Sequence, residues 1–265
     1  MTEASAQHDV RYASADGTPL AAILTTAAAA ATPVAILVHG GAWQRGAPTD
    51  YVLWGRALAK RGIASLAAPY RHATREHPSW PGCRDDVIAA VAFVVEHGPG
   101  HGIDPTQLIL MGTSAGAHLI SLVQLSGGAD ARLVVAANGV YDLVEQYQYA
   151  QAAGGDNAIP ILMGATPEAD PDAYRAASPL QWVGAGRAAR ARWLVISGEA
   201  DDLVPPALHS APFAAALESA GADVQRVSIA GAGHIWHTTT PVDEGPNLEM
   251  QPALWRAIDL ALAPV

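Results

Sequence analysis

Short apolar runs recur along the chain, and a polar or turn-forming residue follows each one. Apolar runs without an alternating polar residue are typical of strands that are buried on both faces of a sheet. The predicted strands are Pro33–Val38, Ile63–Ala68, Leu108–Met111, Leu133–Ala137, Ala191–Ser197 and Val224–Ala230. A hairpin is predicted before them, because Asp16-Gly17 lies between the extended stretches Val10–Tyr12 and Leu20–Thr25.

Between these runs the apolar positions change to the three-to-four-residue spacing of helices. This spacing predicts a helix over Arg84–His97. The helix is expected to end at Gly98, because glycine commonly terminates helices. Further helices are predicted at Tyr51–Arg61, directly after Ser114, at Pro206–Ala220 and at Leu248–Leu262. Strands that alternate with helices predict an α/β fold, with a mainly parallel central sheet and helices on both faces.

Tyr141–Val183 interrupts this alternation, since it is rich in Tyr, Pro, Gly and Ala and has only weak helical pieces. We predict a small cap-like insertion, or lid, over the carboxyl edge of the sheet, where open α/β sheets bind ligands. No internal repeat and no separate second unit is found. Residues 1–265 are therefore predicted to form a single domain.

Charge and cysteine content limit the possible partners. The chain has 15 Lys and Arg against 25 Asp and Glu, a formal net charge of −10, which argues against nucleic acid and anionic membranes. Neither a secretory signal nor an apolar stretch of about 18 residues is found. The single cysteine, Cys83, permits a reducing compartment. We expect a soluble, cytoplasmic protein. No particular oligomeric state follows from the sequence.

The stretch Gln107–Leu122 carries the most specific signal in the chain. A buried strand ends at Gly112-Thr113-Ser114-Ala115-Gly116, and an apolar helical run follows at once. Glycines at 112 and 116 allow neighbouring backbone to approach where a β-carbon would collide. This is the pattern of a nucleophile elbow, which holds a serine hydroxyl clear of the sheet at a helix N-terminus. Ser114 is the predicted nucleophile.

A nucleophilic serine needs a base and an acid that orients the base, and in elbow-bearing folds both follow the serine. Asp201 and Asp202 come directly after the strand at Ala191–Ser197, and both are candidates for the acid. Asp202 is better interpreted as a helix cap or a solvated carboxylate. His234, in a glycine-rich loop after the last strand, is the predicted base. His237 is its competitor.

His209 is interpreted as a surface or packing residue within a helix. The loop His39-Gly40-Gly41-Ala42-Trp43 follows the first buried strand, and its glycines allow backbone amides to turn inward. The predicted oxyanion donors are therefore the amides of Gly41, Ala42 and Ala115.

Aromatic residues make up only 6% of the chain, yet several fall in loops or in the insertion. Aromatic side chains commonly line concave sites and bind apolar groups. The predicted substrate-binding residues are Trp43, Tyr141, Trp182 and Trp236, and the same group contains Trp80, Tyr147 and Tyr149. As a set they predict an aromatic or otherwise apolar acyl or leaving group. The histidines show no ligand-type pairing, so neither a metal nor a cofactor is predicted.

The motifs HGGAW, GTSAG, GEADDLVP and GAGH, in this order, resemble those of the α/β-hydrolase fold. The chain is similar in particular to carboxylesterases of the hormone-sensitive-lipase-like and kynurenine-formamidase-like branches, whose HGGGF, HGGGW or HGGxW loop matches residues 39–43. The resemblance implies that Asp201 is the acid. Two departures are Ala42 in place of the third glycine, which favours the formamidase-like pattern, and the lack of a long N-terminal helical cap.

The resemblance implies a serine hydrolase of the carboxylesterase type that acts through an acyl-enzyme. Its substrate would be a small carboxylic ester or an arylformamide-type amide. The same fold supports acyltransferases, lyases and cyclases, and these alternatives stay open. A binding protein with a vestigial site is disfavoured, because a relic would not need Ser114, Asp201, His234 and the HGGAW loop together.

Overall fold

The structure is a computed structural model, and it describes residues 6–154, 157–237 and 239–263. Residues 1–5, in the stretch where no secretory signal is predicted, lie outside the described part. So do residues 155–156 of the predicted insertion.

Eight strands form one sheet in the spatial order β1-β2-β4-β3-β5-β6-β7-β8. The strands are β1 Gln7–Ala13, β2 Pro19–Thr25, β3 Thr32–Val38, β4 Ala64–Ala68, β5 Ile103–Thr113, β6 Leu133–Ala137, β7 Arg192–Gly198 and β8 Asp223–Ile229. Strand β2 pairs antiparallel with β1 and β4, and all other pairs are parallel. The carboxyl ends of β3 to β8 therefore meet at one edge of the sheet.

Helices connect the parallel strands. They are α1 Val52–Ala59, α2 Gly82–His97, α3 Ala115–Ser126, α4 Leu143–Ala153, α5 Ile159–Met163, α6 Pro171–Ala177, α7 Ser210–Ser219 and α8 Gly245–Leu262. Four short 3-10 helices lie at Pro48–Tyr51, Gly98–His101, Pro179–Ala185 and Ala188–Arg190. In the described part of the chain, no helix is both long and apolar enough to cross a bilayer.

Each central strand is buried on both faces. Along β3, Ile36 packs on one side of the sheet with residues of α2, α3 and α7. Its neighbour Leu37 packs on the other side with residues of α1 and α8. Side chains alternate across a strand, so a continuous apolar run supplies two cores at once. The predicted α/β-hydrolase fold, with a mainly parallel sheet and helices on both faces, is confirmed.

Most predicted elements have the expected type, with bounds that shift by a few residues. The exception is Pro206–Ala220, which was expected to be helical throughout but begins as a helix only at Ser210. The amides of Leu208 and His209 instead bond to the carbonyl of Pro205 in a turn. His209 therefore precedes α7 and is fully buried, so the prediction that it lies within a helix is wrong.

The stretch between Tyr141 and Val183 contains α4, α5, α6 and most of the 3-10 helix after them. Asp142 begins α4 by accepting the amides of Val144 and Glu145, and Asp170 begins α6 by accepting the amide of Ala173. Helices α4 and α5 contribute side chains to the cavity described below.

Candidate active site

Ser114 occupies the sharp turn between β5 and α3. Its φ of 52° and ψ of −120° are unusual for a residue with a side chain, and such strain costs about 1–3 kcal/mol. A β-carbon on Gly112 would lie 2.7 Å from the carbonyl carbon of Gly116, and one on Gly116 would overlap the carbonyl oxygen of Val38. The two glycines therefore permit the close backbone approach that the sequence predicts.

His234 joins Ser114 to Asp201. Its Nε2 lies 2.9 Å from Oγ of Ser114, and its Nδ1 lies 2.7 Å from Oδ2 of Asp201. Nδ1–H donates to the carboxylate in this arrangement, which leaves Nε2 free to accept the serine proton. The Asp201 side chain has no exposed surface, whereas that of His234 is 12% exposed. The structure thus brings together three residues that the sequence singles out, from the ends of β5, β7 and β8.

The second carboxylate oxygen of Asp201 is held by backbone. Oδ1 accepts the amides of Leu203 at 3.1 Å and Val204 at 2.8 Å, so the carboxylate has a fixed orientation toward His234. Asp202 is exposed and makes no comparable contact; its carbonyl accepts the Tyr149 hydroxyl at 2.7 Å. Of the two candidate acids, only Asp201 contacts the histidine.

Asn138 connects the two loops that carry Asp201 and His234, and sequence reasoning missed it. Its Nδ2 donates to the carbonyl of His234 at 2.9 Å, and its Oδ1 accepts the amide of Gly198 at 3.0 Å. Asn138 is 1% exposed and has a φ of 50°. An asparagine directly after a buried strand, followed by glycine, was the available signal, because asparagine tolerates this backbone conformation.

The loop after β3 lies beside Ser114, and three consecutive residues in it have positive φ: Gly41 at 113°, Ala42 at 53° and Trp43 at 59°. Gly40, Gly41 and Ala42 line the same cavity as Ser114 and His234. Within the described residues, the amides of Gly41 and Ala42 donate to no protein acceptor. The amide of Ala115 is among the first of α3, which have no partner within their own helix. The amides of Gly41 and Ala42 thus lie beside Ser114 without a protein acceptor in the described part of the chain, whereas Ala115 is fully buried and is not part of the cavity wall.

Several buried groups hold this loop. The Trp43 carbonyl accepts the Ala73 amide at 2.8 Å, and the Tyr70 hydroxyl lies 3.2 Å from the carbonyls of both His39 and Gly40. The Trp43 indole donates to Nδ1 of His118 at 3.1 Å. His118 was not predicted as a functional residue; its only signal is its position one helical turn after Ser114.

The other two candidate histidines are buried away from Ser114's hydroxyl. Nδ1 of His209 accepts the Tyr141 amide at 3.4 Å, and its Nε2 lies 2.7 Å from Oε1 of Gln146. His237 stacks on Trp54, and its Nδ1 lies 3.2 Å from the Tyr51 hydroxyl. Burial lowers the pKa of His209 to about 4 and that of His237 to about 3. Neither histidine contacts Ser114.

A cavity of about 830 Å³ opens over Ser114 and His234. Trp43 and Trp236 are part of its wall, but both are almost fully buried. Tyr141 and Trp182 do not line it, contrary to the expectation from sequence. The Tyr141 ring stacks on Phe213 with centroids 3.9 Å apart, and the Trp182 indole donates to the carbonyl of Ala176 at 2.9 Å. Both rings serve packing, because their elements turn them toward the core.

Of the other aromatic residues considered from the sequence, Trp80, Tyr147 and Tyr149 also lie outside the cavity wall. No group of three or more His, Cys, Asp and Glu side chains within the described ranges is arranged to hold a metal ion.

The mainly parallel eight-stranded sheet and the strained serine between β5 and α3 define an α/β hydrolase. A family model described as BD-FAE matches residues 22–217, which is most of the chain. The chain belongs to the BD-FAE family, and the resemblance to α/β-hydrolase carboxylesterases that the motifs carry is confirmed.

Among curated proteins, esterases LipQ and LipC of Mycobacterium tuberculosis (strain ATCC 25618 / H37Rv) are similar to this chain. LipQ is 32% identical over 229 residues, which cover 79% of this chain and 52% of LipQ. LipC is 30% identical over 231 residues, which cover 81% of this chain and 56% of LipC. The chain therefore spans about half the length of these relatives.

Solved structures of esterases share the fold at low sequence identity. A bacterial heroin esterase superposes with a TM-score of 0.81 and 20% identity, covering 100% of this chain and 86% of its own. Carboxyl esterase 2 of the fungus Tuber melanosporum gives a TM-score of 0.80 and 21% identity, covering 98% of this chain and 88% of its own. At this identity the likeness establishes the fold.

Proposed function

We propose that this protein is a serine esterase that hydrolyses a small carboxylic ester through an acyl-enzyme. The observation that carries the proposal is the hydrogen-bonded chain from Ser114 Oγ through His234 to Asp201, with distances of 2.9 and 2.7 Å. The esterase relatives support the same reaction class. The proposal gives each of the three residues a defined role.

In the first step, Ser114 Oγ attacks the ester carbonyl while Nε2 of His234 takes its proton. Asp201 stabilises the resulting imidazolium through Nδ1, and its own orientation is kept by the two amides on Oδ1. The negative charge that develops on the carbonyl oxygen is stabilised by the amides of Gly41, Ala42 and Ala115.

His234 then donates its proton to the leaving alcohol, and the acyl group remains on Ser114. A water molecule attacks this acyl-enzyme while His234 accepts the water's proton. Collapse of the second tetrahedral intermediate releases the acid and returns the proton to Ser114. In this sequence His234 transfers the protons, Ser114 carries the acyl group, and Asp201 and the three amides stabilise the charges that develop.

In this proposal the segment Tyr141–Val183 acts as a partial lid. Its residues Ala150, Ile159 and Ile161 form part of the cavity wall, so they would contact the substrate and restrict water. Of the aromatic residues that the sequence suggests for substrate binding, Trp43 and Trp236 are kept in that role, as parts of the wall.

The test is covalent labelling combined with kinetics. A fluorophosphonate probe should label the wild-type protein, and Ser114→Ala should lose both the label and hydrolysis of a panel of aryl and alkyl esters. The loss in kcat should be on the order of 10⁴-fold or more. Ser219→Ala, at an exposed serine at the end of α7, is the matched control and should keep both. Labelling that persists in Ser114→Ala would refute the proposed nucleophile.

A further inference from the structure

The sheet order divides the cavity wall into two sides. Ser114 follows β5, which lies between β3 and β6. Residues from the loops after β3 and β4 therefore begin on one side of Ser114, and residues from the loops after β6, β7 and β8 begin on the other. We call these the β3/β4 side and the β6–β8 side. Helices α4 and α5 follow β6 and contribute to the second. The loop after β8 crosses over at its end, where His237 contacts Tyr51 and Trp54.

The β6–β8 side carries most of the aliphatic side chains of the cavity wall. Its wall includes Val140, Ala150, Ile159, Ile161, Leu203 and Ile235. Leu203 and Ile235 line the cavity and are 52% and 66% exposed, so both present apolar surface to a bound ligand.

The two side-chain amides on the β6–β8 side, Gln146 and Asn157, are hydrogen-bonded within the protein. Gln146 donates to the carbonyl of Leu203 at 2.9 Å and bonds to His209 through its other amide atom. Asn157 donates to the carbonyl of Tyr147 at 3.0 Å and accepts the amide of Ile159 at 3.1 Å. Trp236 Nε1 and His237 Nε2, in the loop after β8, are buried and have no hydrogen-bond partner in the described part of the chain. The exposed surface that this side offers a substrate is therefore mainly that of its aliphatic side chains.

The β3/β4 side carries Arg45 and Arg75, together with Gln44, Asp50 and Thr74. Within the described residues, no carboxylate lies within 4.0 Å of either guanidinium. Arg45 lies directly beside the oxyanion loop, since its amide bonds to the Gly41 carbonyl at 3.1 Å. Two arginines and one aspartate give this wall a net positive charge, in a chain whose net charge is −10.

The β3/β4 side has a net positive charge although the protein as a whole is acidic. A local positive charge in a cavity attracts a negatively charged ligand group. Guanidinium groups bind carboxylates and phosphates by charge-assisted, often bidentate hydrogen bonds. We infer that the substrate is an ester with two unlike ends, an apolar group on the β6–β8 side and an anionic group on the β3/β4 side. This inference rests on the proposed esterase function and adds the substrate class to it.

The anionic group can belong to the acyl part or to the alcohol part of the ester. Two pairs of substrates distinguish these cases. The first pair is 4-nitrophenyl butanoate and the mono-4-nitrophenyl ester of glutaric acid, which adds a carboxylate to the acyl chain. The second is phenyl butanoate and 4-carboxyphenyl butanoate, which adds it to the alcohol. In each pair, the ratio of kcat/KM for the anionic ester to that for the neutral ester is measured.

We expect the wild-type protein to prefer the anionic ester in one of the two pairs. Arg45→Gln and Arg75→Gln should each reduce that ratio by about 2- to 5-fold, the range for exposed ion pairs. The ratio cancels any loss that the anionic and neutral esters share, so it reports the contact with the anionic group. Arg226→Gln is the control for net charge, since Arg226 is exposed on β8 and outside the cavity wall. The preference should also weaken from about 0.05 to about 0.5 M NaCl.

The apolar end is tested with esters of increasing acyl or alkyl length. Leu203→Ser and Ile235→Ser should lower, several-fold, the ratio of kcat/KM for hexanoate or hexyl esters to kcat/KM for acetate or methyl esters. The ratio cancels any loss that the long and short esters share. Leu248→Ser is a matched control, because Leu248 is also 52% exposed but lies outside the cavity wall.

The outcomes separate this inference from the function on which it rests. Hydrolysis of neutral esters without a preference for either anionic ester, or a preference that survives in the Arg45→Gln/Arg75→Gln double variant, would overturn the substrate class alone. Equal chain-length dependence in the wild type and in Leu203→Ser and Ile235→Ser would overturn the apolar end. No turnover of any ester would overturn the proposed function itself, together with the inference.

Discussion

The Trp43 indole donates a 3.1 Å hydrogen bond to Nδ1 of His118, which is fully buried in α3. An indole N–H can only donate, so Nδ1 must be unprotonated and Nε2 carries the proton. Nε2 lies 2.7 Å from the carbonyl of Ala177 and donates to it. Burial lowers the pKa of His118 to about 4, so the ring is neutral at pH 7. One neutral histidine thus connects the loop after β3 to the end of α6.

We expect this pair to position the oxyanion donors. His118→Phe keeps the ring volume but removes both hydrogen bonds, so the strained residues Ala42 and Trp43 lose a restraint. We predict that kcat falls about tenfold or more while KM changes little, because a displaced donor weakens binding of the transition state in particular. His118→Asn, which offers an acceptor near the position of Nδ1, should recover part of kcat. Equal kcat in the wild type and His118→Phe would contradict the positioning role.

The neighbouring acids Asp201 and Asp202 should differ sharply. Asp201→Asn replaces the carboxylate that accepts from His234 and disturbs the tautomer of the ring, so kcat should fall by about 10⁴-fold. Asp202→Asn changes an exposed side chain and should leave kcat within about twofold. Kinetics of the two variants on one ester, with circular dichroism to check folding, measure the difference. Similar losses in both would mean that Asp201 does not orient the base.

Ala42 should tolerate glycine but not a branched side chain. Its φ of 53° is in the left-handed region, which costs an alanine about 1 kcal/mol and a β-branched residue more. Ala42→Gly should keep or slightly raise the melting temperature, with a modest fall in kcat because the loop gains flexibility. Ala42→Val should strongly lower both the melting temperature and kcat. A melting temperature of Ala42→Val equal to that of the wild type would show that this backbone conformation is wrong.

Gly116 should be intolerant of even one methyl group. A β-carbon there would overlap the carbonyl oxygen of Val38, and backbone on both sides prevents relief. We predict that Gly116→Ala destabilises the protein by about 3 kcal/mol or more, measured by urea unfolding. Gly100→Ala is the control, because a β-carbon on Gly100 meets no atom within 4 Å. If both variants unfold at the same urea concentration, β3 and α3 are not in the close contact described.

The buried histidines should make stability depend on pH. Burial lowers the pKa of His118 and His209 to about 4 and that of His237 to about 3, against an ordinary value of 6.5. Below pH 6.5 the unfolded chain therefore binds protons that the folded chain does not. Above pH 6.5 these buried histidines are neutral in both the folded and the unfolded chain, and the free energy of unfolding loses nothing to their protonation. Below pH 6.5 the free energy of unfolding falls by about 1.4 kcal/mol per pH unit for each histidine until the folded pKa is reached.

Urea unfolding at pH 7, 6 and 5 measures this slope. Burial also lowers the pKa of His39 and His72, so His118→Asn removes one of several such groups and should reduce the slope. His97→Gln, at an exposed histidine, should leave it unchanged. A slope that is identical in the wild type and His118→Asn would exclude a neutral buried His118.

The sequence by itself determined the elements and the fold class. Continuous apolar runs such as Pro33–Val38 identify strands buried on both faces, because such a strand must be apolar at every position. The glycines at 112 and 116 identify the sharp turn at Ser114, since only glycine allows that backbone approach. These constraints are local, so each one can be recognised from the residue types in a short stretch of chain. Ser114 and the loop at 39–43 could be singled out for the same reason.

Only the tertiary structure decided which side chains meet. The spatial order of the strands brings the ends of β5, β7 and β8 together, so that Asp201 rather than Asp202 contacts His234. It also turns Tyr141 and Trp182 into packing residues and connects Trp43 to His118. Such contacts depend on the packing of elements far apart in sequence, where a side chain's direction is set by the neighbouring helix or strand. No local pattern of residue types records that direction, and for this reason the aromatic residues were the least predictable part of the site.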